Sequence, residues 1–315
     1  MIDAVFTWVD GDDPEHVRQR ARARGGATVA VDDGPHRYRD GDELRFSLRA
    51  LERHAPWIGH VFLVTSGQRP RWLDPAAFGL TLITHDEIFP DPAHLPTFNS
   101  CAIEMHLHRI PGLSPRFIYF NDDFFLGSQV GPDDFISGGG QLLYLTPGVV
   151  PAPGVPVPPE LAGAPLHLAS LQLVNRLLDG DGPPRPRRLI PHVPILIETR
   201  VWAELAARHA DAVARTSANR FRCAGDVAFA YAYTHFRLER RLPGDRVVEW
   251  PEVVVPFSLS PRGLAILLEQ VRLRRPRFFC LQDEDGHDPA KDTLARRFLE
   301  HMYPRPSRYE LCSAP

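Results

Sequence analysis

The residues of this chain best equipped for chemistry are carboxylates, and the most telling of them follow an apolar run. Phe117, Ile118, Tyr119 and Phe120 lead directly into Asn121, Asp122 and Asp123, and Phe124, Phe125 and Leu126 follow. Two adjacent carboxylates between apolar segments are costly unless a cation or hydrogen-bond donors compensate them. Hard oxygen ligands of this kind suit Mg2+ or Mn2+ bridging a pyrophosphate; the bland alternative is that one of them caps a backbone turn. Asp-x-Asp spacing recurs at Asp10-Gly11-Asp12, Asp40-Gly41-Asp42, Asp179-Gly180-Asp181 and Asp283-Glu284-Asp285. There Asp and Gly also serve as ordinary turn residues.

Three further groups stand out by type and setting. His192, in Ile190-Pro191-His192-Val193-Pro194, sits in a stiff segment. Such a segment can fix an imidazole for acid or base work, or pack it in the core. Arg222 opens Arg222-Cys223-Ala224-Gly225-Asp226, ahead of a helical run through Phe229, Tyr231 and Tyr233. A guanidinium fork near a helix start suits phosphate, and a structural salt bridge accounts for it as well. Glu104, inside Ala102-Ile103-Glu104-Met105, reads on sequence alone as a solvent-facing helix residue. Cys223 has no accompanying histidine pattern and reads as a small packed hydrophobe.

The elements that must position these groups alternate along the chain. Residues 2–9 form an apolar strand that stops at Asp10-Gly11-Asp12-Asp13-Pro14. From Asp42, as N-cap, an amphipathic helix places Leu44, Leu48 and Leu51 on one face and ends before Pro56. Strands are expected at 60–65, 80–84 and 117–120, and a helix at 99–110. This pattern predicts an α/β fold with a largely parallel sheet. Ligands then bind outside the carboxyl ends of strands, where Asp10 and Asn121-Asp122-Asp123 are able to meet. Residues 147–159 are too proline-rich for a helix or central strand and read as a surface connection. Beyond them, helices are expected at 166–178, 198–209 and 224–240.

Length and composition bound the rest. The 315 residues, 43% hydrophobic and 24% charged, suffice for one large domain. A net charge of -3 exerts no general pull toward nucleic acid or anionic membrane, so phosphate binding must be local. Cys101, Cys223, Cys280 and Cys312 form no CxxC pair, which points away from a zinc knuckle and toward a reducing compartment. With no signal-like N-terminus and no transmembrane segment, a cytoplasmic protein is expected, with any membrane association peripheral and at the inner face.

Taken together, the segments resemble the Stealth phosphotransferases, which include bacterial capsule and exopolysaccharide enzymes and the catalytic subunit of the lysosomal-enzyme N-acetylglucosamine-1-phosphotransferase. TWVDG at 7–11, RDGDELRFSLRALERHAPWIGHVFLVTSGQRPRWL at 39–73 and LPTFNSCAIEMHLHRIPGLSPRFIYFNDDFFLG at 95–127 carry the first part of the likeness. LIPHVPILIETR with FRCAGDVAFAYAY, and then RFFCLQDEDGHDPAKDTLARRFLEHMYPRPSRYEL, carry the rest. Four regions in the right order are far more specific than any one motif.

The resemblance implies a Rossmann-like, glycosyltransferase-A-like sheet, mostly parallel and flanked by helices, with a mainly helical second half. Residues 1–146 would form the nucleotide-sugar-binding half, 147–165 the connection, and 166–315 the half that completes one catalytic domain. The implied reaction moves a sugar-1-phosphate from a UDP-sugar, UDP-GlcNAc-like, to a hydroxyl of a carbohydrate or polysaccharide acceptor, releasing UMP. By motif the catalytic positions fall on Glu104, Asp123, His192 and Arg222, Glu104 being nominated by the resemblance alone. Asp123 or His192 would take the hydroxyl proton and Arg222 the phosphate charge. Asp10, Gly11, Asn99, Asn121, Arg188 and Asp226 are expected to contact substrate, and Asp122 and Asp283 to share a divalent metal, Mg2+ or Mn2+. No nucleic acid is implied as a partner, and a homodimer is compatible. The rivals are a conventional metal-dependent glycosyltransferase releasing UDP and a non-catalytic sugar-nucleotide-binding module. The run Arg222 to Asp226 is less polar than in many relatives, and the short proline-rich link replaces the large insertions of animal relatives.

Overall fold

Short β-branched and aromatic runs buried on both faces build the main sheet, as parallel strands covered on each side require. The computed structural model of the protein describes residues 1–25, 31–152, 155–157, 164–250, 254–282 and 288–311. Strands β1 (Asp3–Thr7), β2 (Val61–Thr65), β3 (Leu80–Thr84) and β4 (Arg116–Asn121) are mutually parallel in the order β3-β2-β1-β4. Ile195–Glu198 joins the outer edge of β4 in the antiparallel sense. The chain thus builds outward from β1 to β2 and β3, then returns to place β4 on the other side of β1. Such a reversal opens a crevice at the carboxyl ends of β1 and β4.

Alternation along β4 feeds two apolar layers. Ile118 and Phe120 pack with Ala4 and Phe6 on one face, the rings of Phe6 and Phe120 stacking at 4.7 Å. Phe117 and Tyr119 pack with Val5 on the other. The helix Glu43–His54 buries Leu44, Leu48 and Leu51 as their spacing predicts, together with Phe46 and Ala50. Asp42 occupies its N-cap position in a left-handed conformation and makes no capping bond; its carboxylate instead receives Arg296 at 2.6 Å. The helix expected at 99–110 is shorter, Ser100–Glu104. Just beyond it Trp202 Nε1 donates to the Met105 carbonyl at 3.0 Å, and the chain resumes as a single 3-10 turn, Leu107–Arg109.

The later part of the chain is rich in helices, including Pro165–Asp179, Thr199–Arg208, Ala210–Ala218, Phe229–Arg240, Pro261–Arg274 and Pro289–Met302. It also completes sheets begun earlier: Phe278–Gln282 pairs antiparallel with β5 (Phe124–Leu126), and Arg246–Glu249 pairs parallel with Gly140–Leu145. The proline-rich link contributes a two-residue strand, Val149–Val150, paired with Arg187–Arg188. The protein is therefore mixed α/β, with four sheets among the described residues. No helix among them is long and apolar enough to cross a membrane.

A buried ion pair clasps the end of the described chain to the helix Glu43–His54. The Glu310 side chain, 2% exposed, receives Arg45 Nε at 2.6 Å and Arg49 Nε at 2.6 Å. Burial works against the Glu310 charge, but hydrogen bonds from Arg49, Ser307 and Arg45 outweigh it and hold the carboxyl down at about 2. Because the folded value lies below the ordinary 4.5, this stabilisation is complete above that value and is lost as pH falls from 4.5 toward 2. Glu310→Ala, which strands two arginines, should cost about 3 kcal/mol in denaturant unfolding at neutral pH, with the penalty shrinking below pH ~4. A loss under about 0.5 kcal/mol would show that the clasp contributes little.

Candidate active site

A cavity of about 880 Å³ runs along the carboxyl ends of the parallel strands, and Glu104, Asn121, Asp122, Asp123, His192 and Arg222 are all in its wall. Asn121 ends β4, and Asp122 and Asp123 follow in the turn that leads to β5, so the three side chains meet different partners. Asn121 shares a face with Tyr119, whose hydroxyl lies 2.7 Å from Asn121 Oδ1, 3.1 Å from Glu104 Oε1 and 3.1 Å from Thr7 Oγ1. Asp122 falls under the charges of Asp123, Glu43 and Asp40. Asp123 lies beyond β4; its carbonyl accepts from Leu281 N at 3.1 Å, and its Oδ2 accepts from Cys280 Sγ at 3.3 Å. Asp123 Oδ1 is buried without a hydrogen-bond partner.

This grouping raises proton affinity throughout. Burial pushes Glu104 up to about 7, against the pull of the Arg222 charge and of hydrogen bonds from Tyr119 and Ser100. Burial lifts Glu43 to about 8 and Asp40 to about 6. Asp122 is driven well above the carboxylate range by burial and then by the neighbouring charge of Asp123. Asp123 is raised by burial, with the Cys280 thiol and the His192 charge opposing.

Arg222 supplies the opposite charge. Its carbonyl accepts from Asp32 N at 2.9 Å, and its Nε donates to Ser100 Oγ at 3.0 Å. Arg37, which pairs with Asp32 at 2.6 Å, and His167 also line this part of the cavity. One internal network ties the Arg222 loop to the Glu104 helix. Asn99 caps that helix by accepting from Cys101 N at 3.0 Å, while its amide nitrogen donates to Asp226 Oδ2 at 3.0 Å and to the Asn219 carbonyl at 3.1 Å. Asp226 in turn accepts from Cys223 N at 2.8 Å and from Asn219 Nδ2 at 2.7 Å. These bonds hold 222–226 as a turn, so the helix expected from 224 begins at Phe229.

The residues singled out from sequence are therefore placed unevenly. Glu104, read from its sequence alone as solvent-facing, looks into the cavity, because its short helix ends at the cavity's edge beneath Tyr119 and Arg222. Asp226 reaches the wall with both oxygens already accepting hydrogen bonds, and Asn99 lies off it, fully buried. Arg188 is off the wall, its Nε donating to the Thr146 carbonyl at 2.8 Å. Asp10 is off it too, its Oδ1 accepting from Asp12 N at 2.9 Å in an acidic turn. Gly11 packs beneath the wall residue Tyr38: a Cβ there would lie 2.3 Å from the Tyr38 carbonyl oxygen, which only glycine avoids. Asp283 lies outside the described residues. Sequence reasoning missed Tyr119, Glu43 and His167. Tyr119 was accessible in principle, since a residue two before Asn121 on a strand must share its face.

Among the described residues, no three His, Cys, Asp or Glu side chains are grouped closely enough to hold a metal ion. Asp122 nonetheless lies under the influence of the Asp123, Glu43 and Asp40 carboxyl groups, and carboxyl oxygens are the donor type that Mg2+ or Mn2+ takes.

Comparison with known proteins matches four successive regions, described as Stealth protein conserved regions 1, 2, 3 and 4, to residues 2–27, 37–143, 191–239 and 269–315. Glu104 and Asp123 fall in the second region, and His192 and Arg222 in the third. Two exopolysaccharide phosphotransferases of Streptomyces coelicolor are 41% and 38% identical over 98% of this chain, which covers 52% and 51% of their lengths. Exopolysaccharide phosphotransferase CpsY of Mycobacterium tuberculosis is 32% identical over 99% of this chain and 58% of its own length. The chain thus spans about half the length of the curated relatives it matches.

Proposed function

Because this chain belongs to the Stealth family, we propose that it transfers a hexose- or N-acetylhexosamine-1-phosphate from a UDP-sugar to a hydroxyl of a carbohydrate acceptor in exopolysaccharide or capsule synthesis. The observation that carries this reading is the meeting, in one cavity, of the Arg222 guanidinium with desolvated Glu104 and Asp123 and with His192. Phosphoryl transfer asks chiefly for positioning and charge neutralisation.

In this account the acceptor oxygen attacks the phosphorus that bears the sugar. The bond from that phosphorus to the bridging oxygen breaks, UMP departs, and a phosphodiester remains. Arg222 holds the phosphate oxygens with its planar fork. Asp123 takes the hydroxyl proton on its unpartnered oxygen, with His192 beside it as the charge that tempers its proton affinity. Asn121 and Glu104 offer hydrogen-bonding partners to the donor's sugar hydroxyls. Asp122, and Asp283 outside the described residues, would hold Mg2+ or Mn2+, which when bound neutralises pyrophosphate charge. The reversal between β1 and β4 supports a Rossmann-like, glycosyltransferase-A-like reading in which residues 1–146 bind the nucleotide sugar and 166–315 complete the domain. Incubation with a panel of UDP-sugars, carbohydrate acceptors and divalent metals tests the proposal. Acceptor-dependent consumption of a donor is expected, and donor binding without turnover would return the chain to the status of a binding module.

A further inference from the structure

We infer that Tyr119 is a positioning residue whose hydroxyl couples the Glu104 carboxyl to the orientation of the Asn121 amide, an inference that rests on the transferase reading above. Tyr119 is 3% exposed, and its ring meets Phe229 edge-on at 5.8 Å, so the phenol is fixed at the junction of β4 and the helix Phe229–Arg240. Its oxygen has three oxygen neighbours: Asn121 Oδ1 at 2.7 Å, Glu104 Oε1 at 3.1 Å and Thr7 Oγ1 at 3.1 Å. The phenol carries one proton for them.

Counting protons determines what the arrangement does. Asn121 Oδ1 can only accept. With Glu104 ionised, the carboxylate and the amide compete for the phenol proton, while Thr7 is able to donate to the phenol oxygen. With Glu104 protonated, the carboxyl becomes a donor to the phenol oxygen, and the phenol proton settles on Asn121. In that state the Asn121 oxygen is tied down and its amide N–H groups are the part left for the cavity that Asn121 lines. The state of Glu104 therefore sets how firmly Asn121 is presented as a donor. Burial brings Glu104 to about 7, within the range where both states occur, and keeps Tyr119 protonated throughout. Neither Thr7 nor Phe229 needs to move.

Tyr119→Phe deletes the hydroxyl and keeps the ring. It should lower kcat about tenfold to a hundredfold and also lower the melting temperature, because the buried Asn121 and Glu104 oxygens lose their shared donor. The more specific readout is the titration of Glu104, followed by carbon NMR in protein labelled at glutamate and assigned with Glu104→Gln. Loss of the tyrosine hydrogen bond removes a stabiliser of the carboxylate, so the midpoint should move to higher pH in Tyr119→Phe, and any Glu104-linked inflection in the rate profile should move with it. An unmoved midpoint overturns the inference, whether turnover is retained or is lost together with a lowered melting temperature. The titration needs no turnover, so an inactive wild type would count against the transferase reading and not against this coupling.

Discussion

Arg222→Ala should lower kcat/KM for sugar-phosphate transfer by on the order of 10³ or more while leaving the protein folded. The magnitude follows from the charge that builds on the transferring phosphoryl group, where a well-placed arginine contributes about 10³ to 10⁵. The fold should survive because the loop is held by the Arg222 main chain and its neighbours: Asp32 N binds the Arg222 carbonyl at 2.9 Å, and Asp226 secures Cys223 N at 2.8 Å. Arg222→Lys restores the charge without the planar fork and should recover only a minor part of the activity. Steady-state kinetics with a thermal melt check both statements. Near-wild-type turnover in the alanine variant would remove Arg222 from the chemistry.

Asp123→Asn should lower kcat by about 10² to 10⁴ without weakening the fold, the range expected when a general base is lost. Burial raises the folded-state proton affinity of Asp123 above its ordinary value of 3.8. A group shifted in that direction makes the folded state less stable once pH exceeds the unfolded value, and this cost grows as pH rises toward the folded value. The neutral isostere escapes that cost, so at pH 7 Asp123→Asn should melt at the same temperature as wild type or higher. Activity lost with stability kept is the mark of a site whose charge serves the reaction. A variant that loses activity and melts markedly lower would assign Asp123 to the framework.

What the sequence disclosed depended on how local the cause of each feature is. β1, β4 and the helix Glu43–His54 follow from periodicity within a few residues, and Leu44, Leu48 and Leu51 are buried where that periodicity puts them. The Asn121-Asp122-Asp123 group was legible because charge after an apolar strand is costly, and the structure places all three in the cavity wall. Glu104 was not legible from its own surroundings. Its helix of 5 residues is too short to show a face, and what turns it inward is Tyr119 on β4 and Arg222 far along the chain. The family resemblance nominated it where local physics did not. Asn99 illustrates the reverse limit: a polar residue near a site looks alike in sequence whether it lines the cavity or, as here, lies fully buried off the wall with its amide bonded to Asp226 at 3.0 Å. Asp10, expected to contact substrate, lies off the cavity wall with its carboxylate accepting from Asp12 N at 2.9 Å.

The central claim concerns which bond of the donor breaks, and one measurement addresses it directly. A UDP-sugar labelled with ³²P at the phosphate attached to the sugar is incubated with the protein, a divalent metal and a carbohydrate acceptor, and the label is followed. The account predicts that the label passes to the acceptor as a phosphodiester and that unlabelled UMP is released. Label retained in released UDP, with an unphosphorylated glycoside as product, would contradict it and identify a glycosyltransferase instead.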